Sequence, residues 1–520
     1  MNVGNQIRRA VKRFGPMIAA ICGDESRSFE EIDERSNQLA NGLLASGMSK
    51  GDRVAVLLEN SIRCVEIDFA LAKAGLVRVS LNPRSTAKDV AYVIEDSQAA
   101  AVIFADGFAA TLPPLGGEGA SALLELCVNE GDRTGAPGMP AAADYEAFLA
   151  GSDKRVIDTE TDPEDLYCLF YTSGTTGRPK GVMLSHRAIL HVSYNLLMEI
   201  GPQSPGEKIL LMQPMSHGAG FFVLPWFMRG GASVIMRHFD PKDVIALADR
   251  YEIETIKLVP TMLQRILKCD PLDFRELPKL RYIVYGASPM PVEVTRKAIA
   301  QFGVRFVQIY GQSEAPVTLS ILQKCDHDPV DGKAERLGSA GVPFETVEMR
   351  IVDQSGNAVP TGEPGEVVLR APQLMLGYWN RPEQTAETVR SGWLYTRDLG
   401  RFDENGYLYL LGRMDEMIIS GGYNIAPREV EEVIYLHPAI QEVAVVGEPD
   451  VEWGNAVVAY VSLRHHVDET ELSDFAKTHL GFKRPKRFYR LNELPKNPNG
   501  KIQKSELRPD GALSWETAVQ

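Results

Sequence analysis

Short apolar runs alternate with stretches of helical period from the start of the chain, which limits it to folds with largely parallel sheets under helices. Residues 29–44 place apolar side chains at helical spacing, residues 54–58 read as a buried strand, residues 62–75 as a helix stopping near Gly75, and residues 77–81 as the next strand. The rhythm resumes at Leu166 and continues to about residue 325. Residues 340–412 read as β-rich, and a shorter α/β stretch begins at about residue 416. Residues 110–163, rich in Gly, Ala, Pro and acidic side chains, are expected to form surface loops around a little helix. At 520 residues the chain exceeds one ordinary domain. The fold class is therefore α/β. A large N-terminal domain, residues 1–414, should hold mixed sheets layered with helices and a β-rich subdomain at about 340–412. A small, mobile α+β domain should follow at 415–520.

The formal net charge of −14 argues against a nucleic-acid partner, which favours a basic face, but leaves room for an anionic ligand held by local cations. The six cysteines, Cys22, Cys64, Cys127, Cys168, Cys269 and Cys325, show no metal-site spacing. They are expected to be reduced and mostly buried, as in a cytosolic protein. The first residues lack the apolar core of a signal peptide, and no apolar run of about 18 residues suggests a membrane span. The expectation is a cytoplasmic protein without an integral membrane segment. A homo-oligomer is compatible with the sequence.

Tyr171-Thr172-Ser173-Gly174-Thr175-Thr176-Gly177-Arg178-Pro179-Lys180-Gly181 packs hydroxyls, glycines and a lysine behind the apolar strand that starts at Leu166. Glycines let backbone N–H groups approach an anion, hydroxyls add donors, and Lys180 adds a point charge. This suits a triphosphate, although a Walker A loop does not align on it. The string resembles the phosphate-binding signature of the adenylate-forming superfamily of acyl-CoA synthetases, luciferases and peptide-synthetase adenylation domains. Further motifs appear in that family's order along nearly the whole chain.

The resemblance implies roles residue by residue. Thr172, Ser173, Gly174, Thr175, Thr176, Gly177 and Lys180 would hold ATP phosphates. Gly286-Ala287-Ser288 is similar to the stretch lying against adenine. Tyr310-Gly311-Gln312-Ser313-Glu314 resembles Tyr-Gly-x-Thr-Glu, with Ser313 keeping the hydroxyl and Glu314, with Thr172, beside magnesium. Thr396-Arg397-Asp398 resembles Thr-Gly-Asp, with Arg397 in the glycine position and Asp398 on the ribose hydroxyls. Gly412-Arg413-Met414-Asp415 is similar to the interdomain junction, making Asp415 the hinge and Arg413 a nucleotide contact. Gly421, Gly422 and Tyr423 would line the pantetheine path of coenzyme A. Pro495-Lys496-Asn497-Pro498-Asn499-Gly500-Lys501 resembles the strand of the catalytic lysine, with Asn497 replacing Thr; Lys501, Glu314 and His217 form the catalytic set.

His217, Phe222, Trp226 and Ala315 are expected to line an apolar acid pocket. No Asp is placed for an α-amino group, and no arginine pair for a second carboxylate. The implied activity is ATP- and Mg²⁺-dependent ligation of a hydrophobic monocarboxylic acid, fatty, aromatic or alicyclic, to coenzyme A through an acyl-AMP. An acyl-AMP ligase loading a separate carrier protein is the alternative. The basic residues Lys483, Arg484, Lys486 and Arg487 suit either the coenzyme A 3′-phosphate or a solvated face.

Overall fold

The computed structural model describes residues 1–113, 123–129, 142–157, 159–172, 178–269, 277–328, 333–496 and 501–515. These residues form four sheets. The largest has nine strands, in the order Val342–Pro343, Ala315–Leu322, Phe306–Gln312, Tyr282–Gly286, Thr255–Leu258, Lys208–Leu211, Ala232–Ile235, Ile18–Cys22 and Glu25–Ser28. Its interior neighbours, from Phe306–Gln312 across to Ile18–Cys22, are parallel. An eight-stranded sheet runs Gly377–Tyr378, Lys180–Ser185, Leu166–Thr172, Val77–Ser80, Arg53–Leu57, Ala101–Ala105, Leu124–Val128 and Ala143–Asp144.

One apolar cluster joins these two sheets. It takes Ile209, Leu211 and Val284 from the first and Val54, Val56, Ile103 and Cys168 from the second. Side chains of the helices Val3–Phe14, Phe29–Ala45, Ile62–Ala74 and His186–Glu199 fill the space between. Local chemistry sets the helix ends. Ser28 and Glu31 form a capping box at the start of Phe29–Ala45. Gly75, at φ 68°, closes Ile62–Ala74 in the left-handed conformation a glycine adopts without a Cβ penalty.

The third sheet contains Glu348–Val352, Gly365–Arg370, Trp393–Phe402 and Val389–Arg390, with Leu408–Arg413 paired on Trp393–Phe402. The fourth, in the small C-terminal part, contains Tyr423–Ile425, Ile418–Ser420, Gly454–Leu463 and Ile440–Asp450, with Arg487–Arg490 beside Gly454–Leu463. The helices Pro427–Ile434 and Glu469–Leu480 complete this α+β unit.

Two expectations need correction. Residues 110–163 hold more than loops around a helix, because Leu124–Val128 pairs in parallel with Ala101–Ala105 and extends the eight-stranded sheet. The cysteines are free, but only Cys64 and Cys168 are buried; Cys325 is exposed and the other three are half-buried. No helix among the described residues is long and apolar enough to cross a membrane.

Candidate active site

In an open parallel sheet, ligands collect beyond the carboxyl ends of the strands, where the chain turns out and backbone groups are unpaired. Leu166–Thr172 ends at Thr172, and the chain returns antiparallel as Lys180–Ser185, with Thr172 level with Lys180. The two strands thus form an antiparallel pair, and the helix begins only at His186, capped by Ser185. Ser173, Gly174, Thr175, Thr176 and Gly177 lie outside the described residues.

Gly286 ends its own parallel strand, and an added Cβ there would stand 2.3 Å from the Ile309 carbonyl oxygen. Ala287 follows at φ 70°, with Ser288 next to it. Gly311 is similarly confined, since a Cβ would sit 2.3 Å from the Val317 nitrogen. The reversal between Phe306–Gln312 and Ala315–Leu322 therefore fits tightly and presents Ser313 and Glu314 at its tip.

The Glu314 carboxylate accepts a hydrogen bond from the Tyr378 hydroxyl at 2.7 Å. The Lys180 ammonium lies 5.1 Å from the centre of the same ring. Burial and the Glu314 charge hold the Tyr378 phenol above its ordinary range, so it stays protonated and donates. Tyr378 thus links the strand Lys180–Ser185 to Glu314, a role the sequence motifs do not indicate. The aromatic string Gly377-Tyr378-Trp379 is its one sequence signal.

Asp398 is the centre of a second cluster. Its carboxylate accepts from the Tyr310 hydroxyl and from Gln312 Nε2 at 2.6 Å, and pairs with Arg413 at 3.2 Å. Arg413 also donates to the Thr396 carbonyl at 2.7 Å, and the Thr396 hydroxyl accepts from the Asp398 amide at 3.0 Å. The strand pair Trp393–Phe402 and Leu408–Arg413 puts Asp398 level with Arg413. Burial, then Asp398, raises the Tyr310 phenol well above its usual value, which keeps it a donor.

Lys501, exposed in the C-terminal part, lies within electrostatic reach of Arg413 and Asp398. An isolated antiparallel bridge pairs Lys496 with Ile502, the residue after Lys501; residues 497–500 lie outside the described residues. Although the Lys501 side chain keeps access to solvent, its pKa is lowered, first by desolvation from the surrounding protein and then by Arg413, while Glu416 and Asp398 oppose the shift. Its neighbour Lys504 binds Glu416 at 3.2 Å and Glu431 at 2.8 Å, tying this stretch to the segment after exposed Asp415.

Gly421 and Gly422, at φ 56° and 83°, form the reversal between Ile418–Ser420 and Tyr423–Ile425. Tyr423 is exposed and packs on exposed Phe482, with ring centres 4.8 Å apart. Nearby, Lys483 pairs with Glu429 at 2.6 Å and Arg487 with Asp450 at 2.9 Å, whereas Lys486 lies over the Trp453 ring.

A cavity of about 30 Å³ opens beside His217. Phe170, Phe221, Ser216, Arg78 and Asp68 are among its walls. The His217 ring stacks on Phe170 at 4.8 Å, and burial lowers its pKa, favouring neutral imidazole. Arg78 pairs with Asp68 at 2.6 Å, yet burial lifts that carboxyl to about 6. Phe222, Trp226 and Ala315 do not line this cavity and are packed in the core instead. In the tight turn Gly220–Phe222, Phe221 faces the space and Phe222 faces the sheet.

Residues 7–379 match the model of the AMP-binding enzyme family, and residues 429–501 match that of the AMP-binding enzyme C-terminal domain. The chain belongs to the AMP-binding enzyme family. Like other members of the acyl-CoA synthetase class, this AMP-binding enzyme is an AMP-forming acid–thiol ligase. A feruloyl-CoA synthase from Amycolatopsis sp is 36% identical over 508 residues, covering 96% of this chain and 97% of that one. The medium/long-chain-fatty-acid–CoA ligase FadD8 of Mycobacterium tuberculosis is 33% identical over 99% of this chain and 90% of its own. Among solved structures, the o-succinylbenzoate CoA synthetase MenE of Bacillus subtilis, in complex with its acyl-adenylate intermediate, superposes with a TM-score of 0.83 at 27% identity. That match covers 96% of this chain and 97% of the other.

Proposed function

We propose that this enzyme joins a largely apolar carboxylic acid to coenzyme A in two steps, through an acyl-AMP. The observation that carries the reading is the cluster of Tyr310, Gln312 and Arg413 around the Asp398 carboxylate, with Lys501 within electrostatic reach of Arg413 and Asp398. Asp398, a carboxylate fixed by three side-chain donors, suits the two ribose hydroxyls. Gly286, Ala287 and Ser288 line the adenine side. Thr172, Lys180 and residues 173–177 take the phosphates, with Gly311 and Ser313 at the adjoining strand reversal.

No group of three or more His, Cys, Asp or Glu suited to a metal occurs among the described residues. Glu314, with one oxygen on Tyr378 and one remaining, fits a hard cation shared with phosphate oxygens. Glu314 and Thr172 would hold Mg²⁺, which when bound neutralises phosphate charge.

In the first step the substrate carboxylate attacks the α-phosphorus, forming a C–O–P bond and releasing pyrophosphate. The Lys501 ammonium stabilises the charge that moves between carboxylate and phosphate, while the protein holds the reactants in line. His217, neutral and stacked on Phe170, bounds the carboxylate end of the acid site. In the second step the small domain, divided from the large one at Asp415, turns. Lys501 withdraws, and Gly421, Gly422 and Tyr423 admit the thiol, which displaces AMP. Coenzyme A is the proposed acceptor, with a carrier-protein thiol as the alternative; the cytoplasm, where ATP and coenzyme A meet, is the proposed compartment.

The test is a panel of fatty, aromatic and alicyclic acids with ATP and Mg²⁺, scored for pyrophosphate, AMP and thioester. Acid-dependent pyrophosphate with thioester only when coenzyme A is present is expected. Pyrophosphate without thioester would favour the carrier-protein alternative; no acid-dependent pyrophosphate would reject the reading.

A further inference from the structure

Thr255–Leu258 runs through the middle of the nine-stranded sheet, between Lys208–Leu211 and Tyr282–Gly286. Its side chains alternate between faces. Ile256 and Leu258 join the cluster containing Ile283 and Tyr285. Lys257 is level with Leu211 and Val284, which belong to the opposite cluster along with Phe222 and Trp226. A lysine therefore stands on the face that packs toward the cavity-bearing turn.

Lys257 is 3% exposed. Its ammonium donates to the Leu258 carbonyl at 3.0 Å and lies 5.7 Å from the centre of the Phe222 ring. An ammonium has three donors, and a buried one without a counter-charge is costly. Burial pushes its pKa down to about 7, and no charged group among the described residues offsets this. A Leu or Met would fill the same space without that cost.

The surroundings have the same character. Phe222 belongs to the turn Gly220–Phe222, and both chain neighbours, Phe221 and Val223, line the cavity beside His217. Lys257 thus stands behind Phe222, one residue back from the lining; in the cavity wall itself, Arg78 Nε and Ser216 Oγ are buried without a partner among the described residues. The cavity is thus apolar in its rings, its wall holds those two unpartnered polar atoms, and the Lys257 ammonium lies just behind it on the far side of Phe222.

We propose that Lys257 is a specificity-determining residue that takes an oxygen acceptor at the far end of the acyl group. The preferred acid is then largely apolar but carries a hydroxyl, phenol, keto or second carboxylate oxygen remote from the carboxyl that is activated. The inference rests on the ligase reading above and narrows its substrate class.

The experiment uses the full chain with ATP, Mg²⁺ and coenzyme A, and compares matched acids by kcat/KM. One series is octanoic, ω-hydroxyoctanoic and octanedioic acid; the other is phenylpropanoic acid and its para-hydroxy derivative. The enzyme should prefer an oxygenated member by about 10-fold or more, the scale on which an unpaired site donor discriminates. Which member wins identifies the oxygen. Lys257→Met keeps the volume; it should lose about 10-fold or more on that acid and hold or gain on the unsubstituted one. Its melting temperature should not fall, which separates lost recognition from lost folding. If Lys257→Met does not fold, Lys257→Gln gives the same ratio. A preference for the unsubstituted acid throughout, or an unchanged ratio in the variants, overturns the inference while leaving the ligase reading intact. Turnover of no acid in either series overturns both.

Discussion

Arg397 holds a left-handed backbone, φ 60°, one residue before Asp398, and its amide donates to the Glu366 carboxylate at 2.9 Å. An L-residue pays roughly 1 kcal/mol for that conformation and a glycine does not. This accounts for the resemblance placing glycine here. Arg397→Gly and Arg397→Ala both remove an exposed side chain, so their difference isolates the backbone. Urea unfolding should show the glycine variant more stable by about 1 kcal/mol; equal stabilities would contradict the strained turn. Tyr378 makes a second argument at this scale. Its hydroxyl holds Glu314, the proposed magnesium ligand, and partners that orient a ligand typically alter metal affinity by about 10-fold or more. Tyr378→Phe should raise the Mg²⁺ concentration for half-maximal activity by about that factor with little change in melting temperature. An unaltered Mg²⁺ titration would remove Tyr378 from the site.

At the scale of elements, His327 joins the short turn Lys324–His327 to the strand Tyr282–Gly286. The ring bonds the Tyr285 hydroxyl at 3.0 Å and the Gln323 carbonyl at 2.8 Å, so Nδ1–H donates to the carbonyl and Nε2 accepts from the phenol. Protonation would put a donor where an acceptor is needed. Burial lowers its pKa from 6.5 to about 4. Between these values the unfolded chain binds more protons, so stability falls as pH falls through that window; below the folded value the whole contribution is lost. His327→Gln should flatten the decline in urea midpoint between pH 6.5 and about pH 5, and parallel wild-type and variant curves would refute it. The same scale shows what the sequence carried. Phe29–Ala45 and Arg53–Leu57 were legible because their apolar periods are local. Leu124–Val128 was not, because its pairing with Ala101–Ala105 makes it a strand while its flanks resemble loop. The site divides likewise. Asp398, Glu314 and Lys501 stand in contiguous motifs, but Tyr378 reaches Glu314 only because its strand pairs with Lys180–Ser185. Which of Phe221 and Phe222 faces the cavity depends on the phase of a single turn.

Across the whole molecule, the cluster proposed for the nucleotide and the reversal proposed for the thiol stand on different sheets. Asp398 and Arg413 lie on the third sheet, while Gly421 and Gly422 lie on the fourth, the sheet of the small C-terminal part. Lys501 comes from that same part, yet its ammonium feels Arg413 and Asp398, as suits the adenylation step. With the lysine there, Tyr423 and its reversal remain exposed. On the proposed two-step reading, a domain that presents first a charge and then a thiol path does not contribute Lys501 equally to both half-reactions. Lys501→Ala should therefore reduce acid-dependent pyrophosphate release by about 100-fold or more, the scale reported when one oriented charge-stabilising donor is removed. Thioester formation from supplied acyl-AMP and coenzyme A should remain within a few-fold of wild type, since on this proposal the lysine has by then withdrawn. Single-turnover measurement of each half-reaction decides between the outcomes. An equal loss in both would mean that Lys501 acts in a single arrangement of the two parts, and the turning of the small domain about Asp415 would have no catalytic role to explain.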